Sequence, residues 1–297
     1  MKIPIGTSNG HNTKEEAYRS IKKLGFDYIE YNMEMGDFFK NNNSAFIKKI
    51  IVMRKKHNLH ITAHAPFRNV TLSMLNNDVR QKSVELIKKS IHILSRIGTK
   101  LTPEKKRYII MHPGISFLAP LFFKKGIPKD FREKSENQVR NALIKSCKEL
   151  VVYANKKDTV VCLENMLYLD SSPEYFGRNI EELLPVFENV KGLRMCLDIG
   201  HANAMYGRPS TRRIVKMANR LSEWIDVVHA HENDGKGDQH LPISGKLIDF
   251  KPIIKKIDPK LVTLEIFPQS ESKTKNLSTL KKSRIYIEKI LSANDHS

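Results

Sequence analysis

Thr159-Val160-Val161-Cys162-Leu163-Glu164 and, 34 positions on, Leu193-Arg194-Met195-Cys196-Leu197-Asp198 are two short apolar runs that each stop at a carboxylate. Between them, residues 180–187 carry apolar side chains at helical spacing. An apolar run, an amphipathic stretch and a second apolar run make the pattern of a βα unit in a parallel sheet. Working outward, the alternation recurs. Further strands are predicted at 3–6, 27–31, 59–64, 108–112, 225–231 and 261–266, and helices at 14–24, 44–57, 78–97, 136–154, 211–224 and 279–291. Eight strands at steps close to the ~31 residues of one barrel unit predict an α/β fold, a closed (β/α)8 TIM barrel with its active site at the C-terminal ends of the strands. An open, doubly wound nucleotide fold is the competing reading. Gly6-Thr7-Ser8-Asn9-Gly10 has the wrong spacing for its phosphate fingerprint.

No linker or low-complexity tract divides the 297 residues, so one barrel domain, 1–297, is expected. With 40% hydrophobic residues the composition is that of a globular chain and excludes intrinsic disorder. The longest apolar stretch, 117–123, is broken by Pro120 and is far short of the ~20 residues that span a bilayer, so no membrane partner is expected. The first residues lack a secretory leader, which predicts a cytoplasmic protein. Three cysteines without a CxxC pair argue against a disulfide framework and a thiolate zinc site, leaving His, Asp and Glu for any metal. Fifty-one Lys and Arg against 32 Asp and Glu give a charge of +19, which suits polyanionic or phosphorylated partners or reflects a lysine-rich proteome. Residues 116–131, with Pro120, Gly126 and Pro128, read as an active-face loop within an insertion at 114–134. No obligate protein partner is evident.

The six predicted strands from the third to the eighth end at or next to polar residues: His64, His112, Glu164, Asp198, His231 and Glu265. Any one of these alone reads as a hydrogen-bonded or capping group. In a barrel they converge on one face, and they are joined by His201, three residues after Asp198, and by Asp238 and His240 in the loop after His231. Nine nitrogen and oxygen ligands suit zinc, manganese or iron and imply more than one ion.

His64-Ala65-Pro66-Phe67, His112-Pro113-Gly114, Leu163-Glu164-Asn165, Cys196-Leu197-Asp198-Ile199-Gly200-His201-Ala202, His231-Glu232-Asn233-Asp234 through Asp238-Gln239-His240, and Leu264-Glu265 together resemble the successive motifs of the endonuclease IV and sugar-phosphate isomerase/epimerase superfamily of xylose-isomerase-like barrels. The resemblance spans residues 1 to about 290, and its motif order is far more specific than any single motif. It implies three zinc ions, with manganese or iron as alternatives at one or more sites. Glu164 would bridge the first two ions, His64 and His112 completing the first and Asp198, His231 and Glu265 the second; His201, Asp238 and His240 would hold the third. Glu164 and Glu265 are the expected catalytic carboxylates. The implied activity is phosphodiester hydrolysis without a protein nucleophile, possible substrates being DNA cleaved 5′ to abasic sites or a smaller phosphorylated molecule.

A mononuclear sugar or sugar-phosphate isomerase of the same superfamily is the alternative, requiring chiefly Glu164, Asp198, His231 and Glu265. It gives the other five ligands no obligatory task. The short connection from His231 to Asp238, with Gln239 where endonucleases carry arginine, resembles those relatives. A catalytically silent metal-bound binding protein is a third class. Phe67 and Arg68 are candidate substrate-binding residues by resemblance to endonuclease side chains that enter the base stack, and equally read as barrel-lip packing. Lys236 joins them in a basic rim with Lys124, Lys125, Lys129, Arg212, Arg213 and Lys246, or these are solvated positions. Glu30 and His229 are expected to support the ligands by hydrogen bonding, and Cys162 and Cys196 to be small side chains inside the barrel.

Overall fold

The computed structural model describes residues 2–8, 13–35, 37–40, 43–102, 104–115, 128–167 and 176–293. Eight strands, β1 (Ile5–Ser8), β2 (Tyr28–Asn32), β3 (His60–His64), β4 (Arg107–Met111), β5 (Thr159–Glu164), β6 (Arg194–Asp198), β7 (Ile225–Ala230) and β8 (Leu261–Leu264), pair in sequence order, and β1 closes on β8. Every pairing is parallel. The helices α1 (Glu15–Lys23), α2 (Ser44–Lys56), α3 (Asn77–Ile97), α4 (Lys129–Asn155), α5 (Ile180–Asn189), α6 (Ile199–Tyr206), α7 (Thr211–Leu221), α8 (Phe250–Ile254) and α9 (Lys273–Ser292) connect and follow them. Among the described residues no helix is long and apolar enough to cross a membrane.

Alternation along each strand sorts side chains between two cores. One set, including Ile29, Ile61, Ile109, Val161, Leu197, Val228 and Val262, packs outward under the helices. The other, Tyr28, Tyr108, Ile110, Cys162, Cys196, Val227 and Leu261, fills the barrel. The two cysteines thus lie where the sequence places them, buried two positions below Glu164 and Asp198. A Cβ on Gly6 would come within 2.2 Å of the Tyr28 ring, so glycine is what lets that ring lie across β1.

The boundaries differ from the sequence reading for identifiable reasons. β1 runs from Ile5 rather than residue 3, because Pro4 has no N–H for a ladder and contributes only its carbonyl, to Val262. His112, His231 and Glu265 stand one residue past the last paired residue of their strands. α4 begins at Lys129, so residues 129–134 of the expected insertion are helix; they are mostly exposed, and a periodicity of apolar residues could not reveal them. α9 begins at Lys273 behind the cap of Ser272. Helices α6 and α8 were not anticipated at all, being too short to show a period. Residues 116–127, with Lys124, Lys125, Pro120 and Gly126, lie outside the described residues, as do Asn9 and Gly10.

Candidate metal centre

At the C-terminal mouth of the barrel, five imidazoles turn their Nε2 atoms toward carboxylates. In four of them Nδ1 is engaged by a backbone carbonyl: His64 by Ala65 O (2.8 Å), His201 by Asn165 O (2.9 Å), His231 by Glu232 O (3.4 Å) and His240 by Glu265 O (2.7 Å). A backbone acceptor for the Nδ1 proton leaves Nε2 as the lone-pair nitrogen, the arrangement of a metal-binding histidine. His64 Nε2 and His112 Nε2 both meet Glu164 Oε2, at 3.1 and 3.0 Å. His201 Nε2 and His240 Nε2 meet Asp238 Oδ2, at 3.5 and 3.1 Å. His231 Nε2 stands between Asp198 Oδ1 (3.3 Å) and Asp238 Oδ1 (3.5 Å).

Among the described residues three groups made of His, Asp and Glu alone result, each with its donor atoms within 4.8 Å of one another: His64, His112 and Glu164; Glu164, Asp198, His229 and Glu265; and His201, His231, Asp238 and His240; a fourth, Glu164, Cys196 and His229, overlaps the second and includes a thiol that burial holds well above its ordinary pKa. All nine residues expected from the sequence are thus gathered, and Glu164 belongs to the first two groups. The grouping adds one residue. His229 Nδ1 lies 3.1 Å from Glu164 Oε1, 3.5 Å from Glu265 Oε1 and 4.0 Å from Asp198 Oδ2, whereas His231 falls with the third group while remaining beside Asp198. Glu30 Oε2 accepts from His229 Nε2 (3.3 Å) and from Thr263 Oγ1 (3.0 Å), which meets the Tyr28 hydroxyl (2.8 Å). A buried chain of contacts therefore rises from the barrel core through Glu30 and His229 to Glu164.

The residues fit divalent cations. Asp198 Oδ2, His231 Nε2 and Asp238 Oδ1 are buried and have no hydrogen-bond partner among the described residues, a costly state for polar atoms that a cation would relieve. The electrostatics are those of a site that attracts positive charge, as protons on its imidazoles or as a cation in their place. Burial disfavours charge on Glu164, yet His229 and His112 hold its carboxyl well below the usual range. Burial likewise opposes charge on His201, but Asp198 and Asp238 raise its pKa well above an ordinary imidazole. Against the same burial, Asp238 and Glu265 raise His240 to about 9. Burial wins for His112, which is lowered, and for Glu265, which is raised.

Local structure explains the spacing of the motifs. Asp198 ends β6 and caps α6, its Oδ1 accepting from His201 N (2.7 Å), so the three-residue interval is that from N-cap to third helical residue. Asn165 clamps β5 to β6, donating to Asp198 O (2.9 Å) and accepting from Asp198 N (2.8 Å). After β7, Glu232 and Leu241 form an antiparallel bridge, folding 232–241 back so that Asp238 and His240 overlie the mouth. Gln239 closes this loop through Oε1 to Asp234 N (2.8 Å).

Other expected residues take various places. Phe67 packs beside the first group, its ring 5.1 Å from His112 and 5.6 Å from His64. Glu34 Oε2 holds its backbone, accepting from Phe67 N (2.9 Å) and Arg68 N (3.0 Å); sequence gave no hint of that role. Arg68 and Lys236 are exposed on loops. Lys129, Arg212, Arg213 and Lys246 are also exposed.

A family model described as xylose isomerase-like TIM barrel matches residues 18–283. An uncharacterized protein of Methanocaldococcus jannaschii is 26% identical over 265 residues, 86% of this chain and 80% of that protein. A protein named probable endonuclease 4, from Mycoplasma pneumoniae, is 22% identical over 239 residues, covering 75% and 73%. Among solved structures, a D-tagatose 3-epimerase-like protein superposes with a TM-score of 0.74 at 24% identity, covering 99% of both chains. With the closed eight-stranded barrel and the match over 18–283, the chain belongs to the family of xylose isomerase-like TIM barrels.

Proposed function

We propose that the protein is a metal-dependent hydrolase of phosphodiesters, built to hold three divalent cations. The observation that carries this reading is the division of ten His, Asp and Glu residues among three thiol-free ligand groups, two of which share Glu164. In this assignment His64 and His112 serve the first cation with Glu164. Asp198 and Glu265 serve the second, with His231 at the border of the third group and His229 behind. His201, Asp238 and His240 serve the third. The cations, zinc with manganese or iron as alternatives, would supply Lewis acidity and lower the pKa of a water for attack on phosphorus. The chain's own contribution is geometric: carbonyl-anchored imidazoles keep their Nε2 atoms aimed, and Glu164 directs Oε1 and Oε2 to different groups. In this reading Phe67, whose ring lies beside His112, and the exposed Arg68 and Lys236 would meet the substrate, and the +19 charge favours an anionic one, abasic DNA or a smaller phosphorylated molecule.

A second reading, a mononuclear sugar or sugar-phosphate isomerase or epimerase, draws support from Glu164, Asp198 and Glu265 meeting one histidine, from the short loop closed by Gln239, and from the epimerase-like protein among the structural neighbours. Counting metal in the purified protein beside three assays separates them. Three ions with incision of a duplex at an abasic site, weakening steeply with salt as counterions are released, is the expected result for a DNA substrate. Three ions with turnover of a small phosphodiester but intact abasic DNA would remove DNA alone. One ion with ketose interconversion, insensitive to Asp238→Ala, would replace hydrolysis by the second reading.

A further inference from the structure

Of the histidines at the mouth, His229 is turned opposite to the other five. Its Nε2–H donates to Glu30 Oε2 (3.3 Å), while Nδ1 faces Glu164 Oε1 (3.1 Å), Glu265 Oε1 (3.5 Å) and Asp198 Oδ2 (4.0 Å). Glu30 and His229 are both buried, so this carboxylate has little choice of partner. A carboxylate that fixes the proton on one ring nitrogen leaves a lone pair on the other, and metal-binding histidines are held in this way.

Asp198 offers its two oxygens to different neighbours. Oδ1 accepts from His201 N (2.7 Å) and has His231 Nε2 beside it at 3.3 Å. Oδ2 is the oxygen that faces His229, and it is buried with no hydrogen-bond partner among the described residues. An imidazolium at His229, donating to Glu30 and Glu164, would leave that oxygen unsatisfied. A cation among His229, Glu164, Glu265 and Asp198 would satisfy all four. His231 groups elsewhere: its Nε2 and Asp238 Oδ1 lie 3.5 Å apart, both atoms are buried without a hydrogen-bond partner among the described residues, and its ring stacks on His240 at 4.0 Å.

We propose that His229, through Nδ1, is the nitrogen ligand of the second cation, with Glu30 as the residue that positions it, and that His231 instead completes the third site with His201, Asp238 and His240. The inference rests on the three-cation reading and departs from the ligand set that the resemblance implies, in which His231 serves the second ion. The three positions then differ in kind. Two are closed by four protein groups each, the pattern of a structural cation, whereas His64, His112 and Glu164 alone, among the described residues, leave the first cation a free coordination position beside the Phe67 ring.

The test counts zinc by elemental analysis in the loaded full-length protein and its variants. His229→Ala and Asp238→Ala are each expected to lose one equivalent, and the two combined to lose two. His231→Ala combined with Asp238→Ala is expected to lose only one, because those residues serve the same ion. Full zinc content in His229→Ala, or loss of two equivalents when His231→Ala and Asp238→Ala are combined, overturns the assignment and leaves three cations in the wild type. Nitrogen-15 shifts of the histidine rings in zinc-loaded wild type decide the matter even where a variant fails to fold: Nδ1 of His229 bound to metal and Nε2 protonated is expected, and protons on both nitrogens overturn the proposal. Glu30→Gln, close in size, puts an amide donor at Nε2 and so moves the ring proton to Nδ1; one equivalent should bind about 10–100-fold more weakly and the metal-bound Nδ1 signal disappear, which loss of packing alone would not produce. A wild type that binds a single ion with His229 Nδ1 as a ligand would instead overturn the three-cation reading and leave His229 as the ligand.

Discussion

Gly200 has no side chain because His231 occupies the space: a Cβ there would lie 2.0 Å from His231 Cε1 and 2.2 Å from Nε2. Gly200→Ala must therefore displace a fully buried imidazole, and metal affinity is expected to fall by about 10–100-fold while the circular dichroism of the barrel is retained. Elemental analysis after dialysis against a graded chelator reads the result; full retention of metal would show that His231 is not a ligand. Glu164→Gln removes the one charge shared by two ligand groups. It should abolish turnover and release metal without unfolding the chain, and a variant that unfolds with its metal content intact would contradict the bridging role. The aspartate to histidine interval at 198–201 was legible as a motif, but its cause, a helix cap, became visible only with α6 in place.

At the scale of elements, the loop 232–241 shows how a short connection can deliver two ligands. The Glu232–Leu241 bridge fixes its ends, Gln239 ties Asp234 N, and Glu232 accepts from Ser244 Oγ (2.9 Å) and Gly245 N (2.7 Å) to anchor the following turn. His240 lies in this loop at a φ of 46°, a conformation most side chains avoid, and the stacking of His231 and Phe267 on its two sides holds it there. Gln239→Ala is expected to loosen the loop so that one equivalent of metal binds about tenfold more weakly while the others are unaffected. Competitive titration with a chromophoric chelator distinguishes this from a uniform loss, which would mean that the loop does not carry a separate site.

For the whole molecule, the mouth of the barrel makes stability depend on pH and metal together. His201, His229 and His240 have folded pKa values above the unfolded 6.5, so their contribution in metal-stripped protein is complete below pH 6.5 and is lost as pH rises through the folded values, about 9 for His240. Asp198 and Asp238 are lowered from 3.8, and Glu164 from 4.5; their contribution is present above those values and disappears as pH falls. The thermal midpoint of stripped protein should therefore be highest between about pH 5 and 6.5 and decline toward pH 9, whereas with zinc the alkaline decline should vanish, since ligation needs neutral imidazole. A flat alkaline profile without metal would contradict the ion pairing of the mouth.

The barrel and the nine side chains that gather at its mouth were readable in the sequence because both obey short-range rules. Strands alternate with period two, and polar residues such as His64, Glu164 and Asp198 stand out at the ends of apolar runs. The roles of Glu34, Asn165, Gly200, Gln239 and Phe267 were not readable, since each depends on an atom brought close by closure of the chain rather than by local spacing. The same holds for His229. Its place two residues below His231 was clear from strand periodicity, but its contact with Glu30 on one side and Glu164 on the other joins residues 199 and 65 positions apart, and only the closed barrel sets that distance.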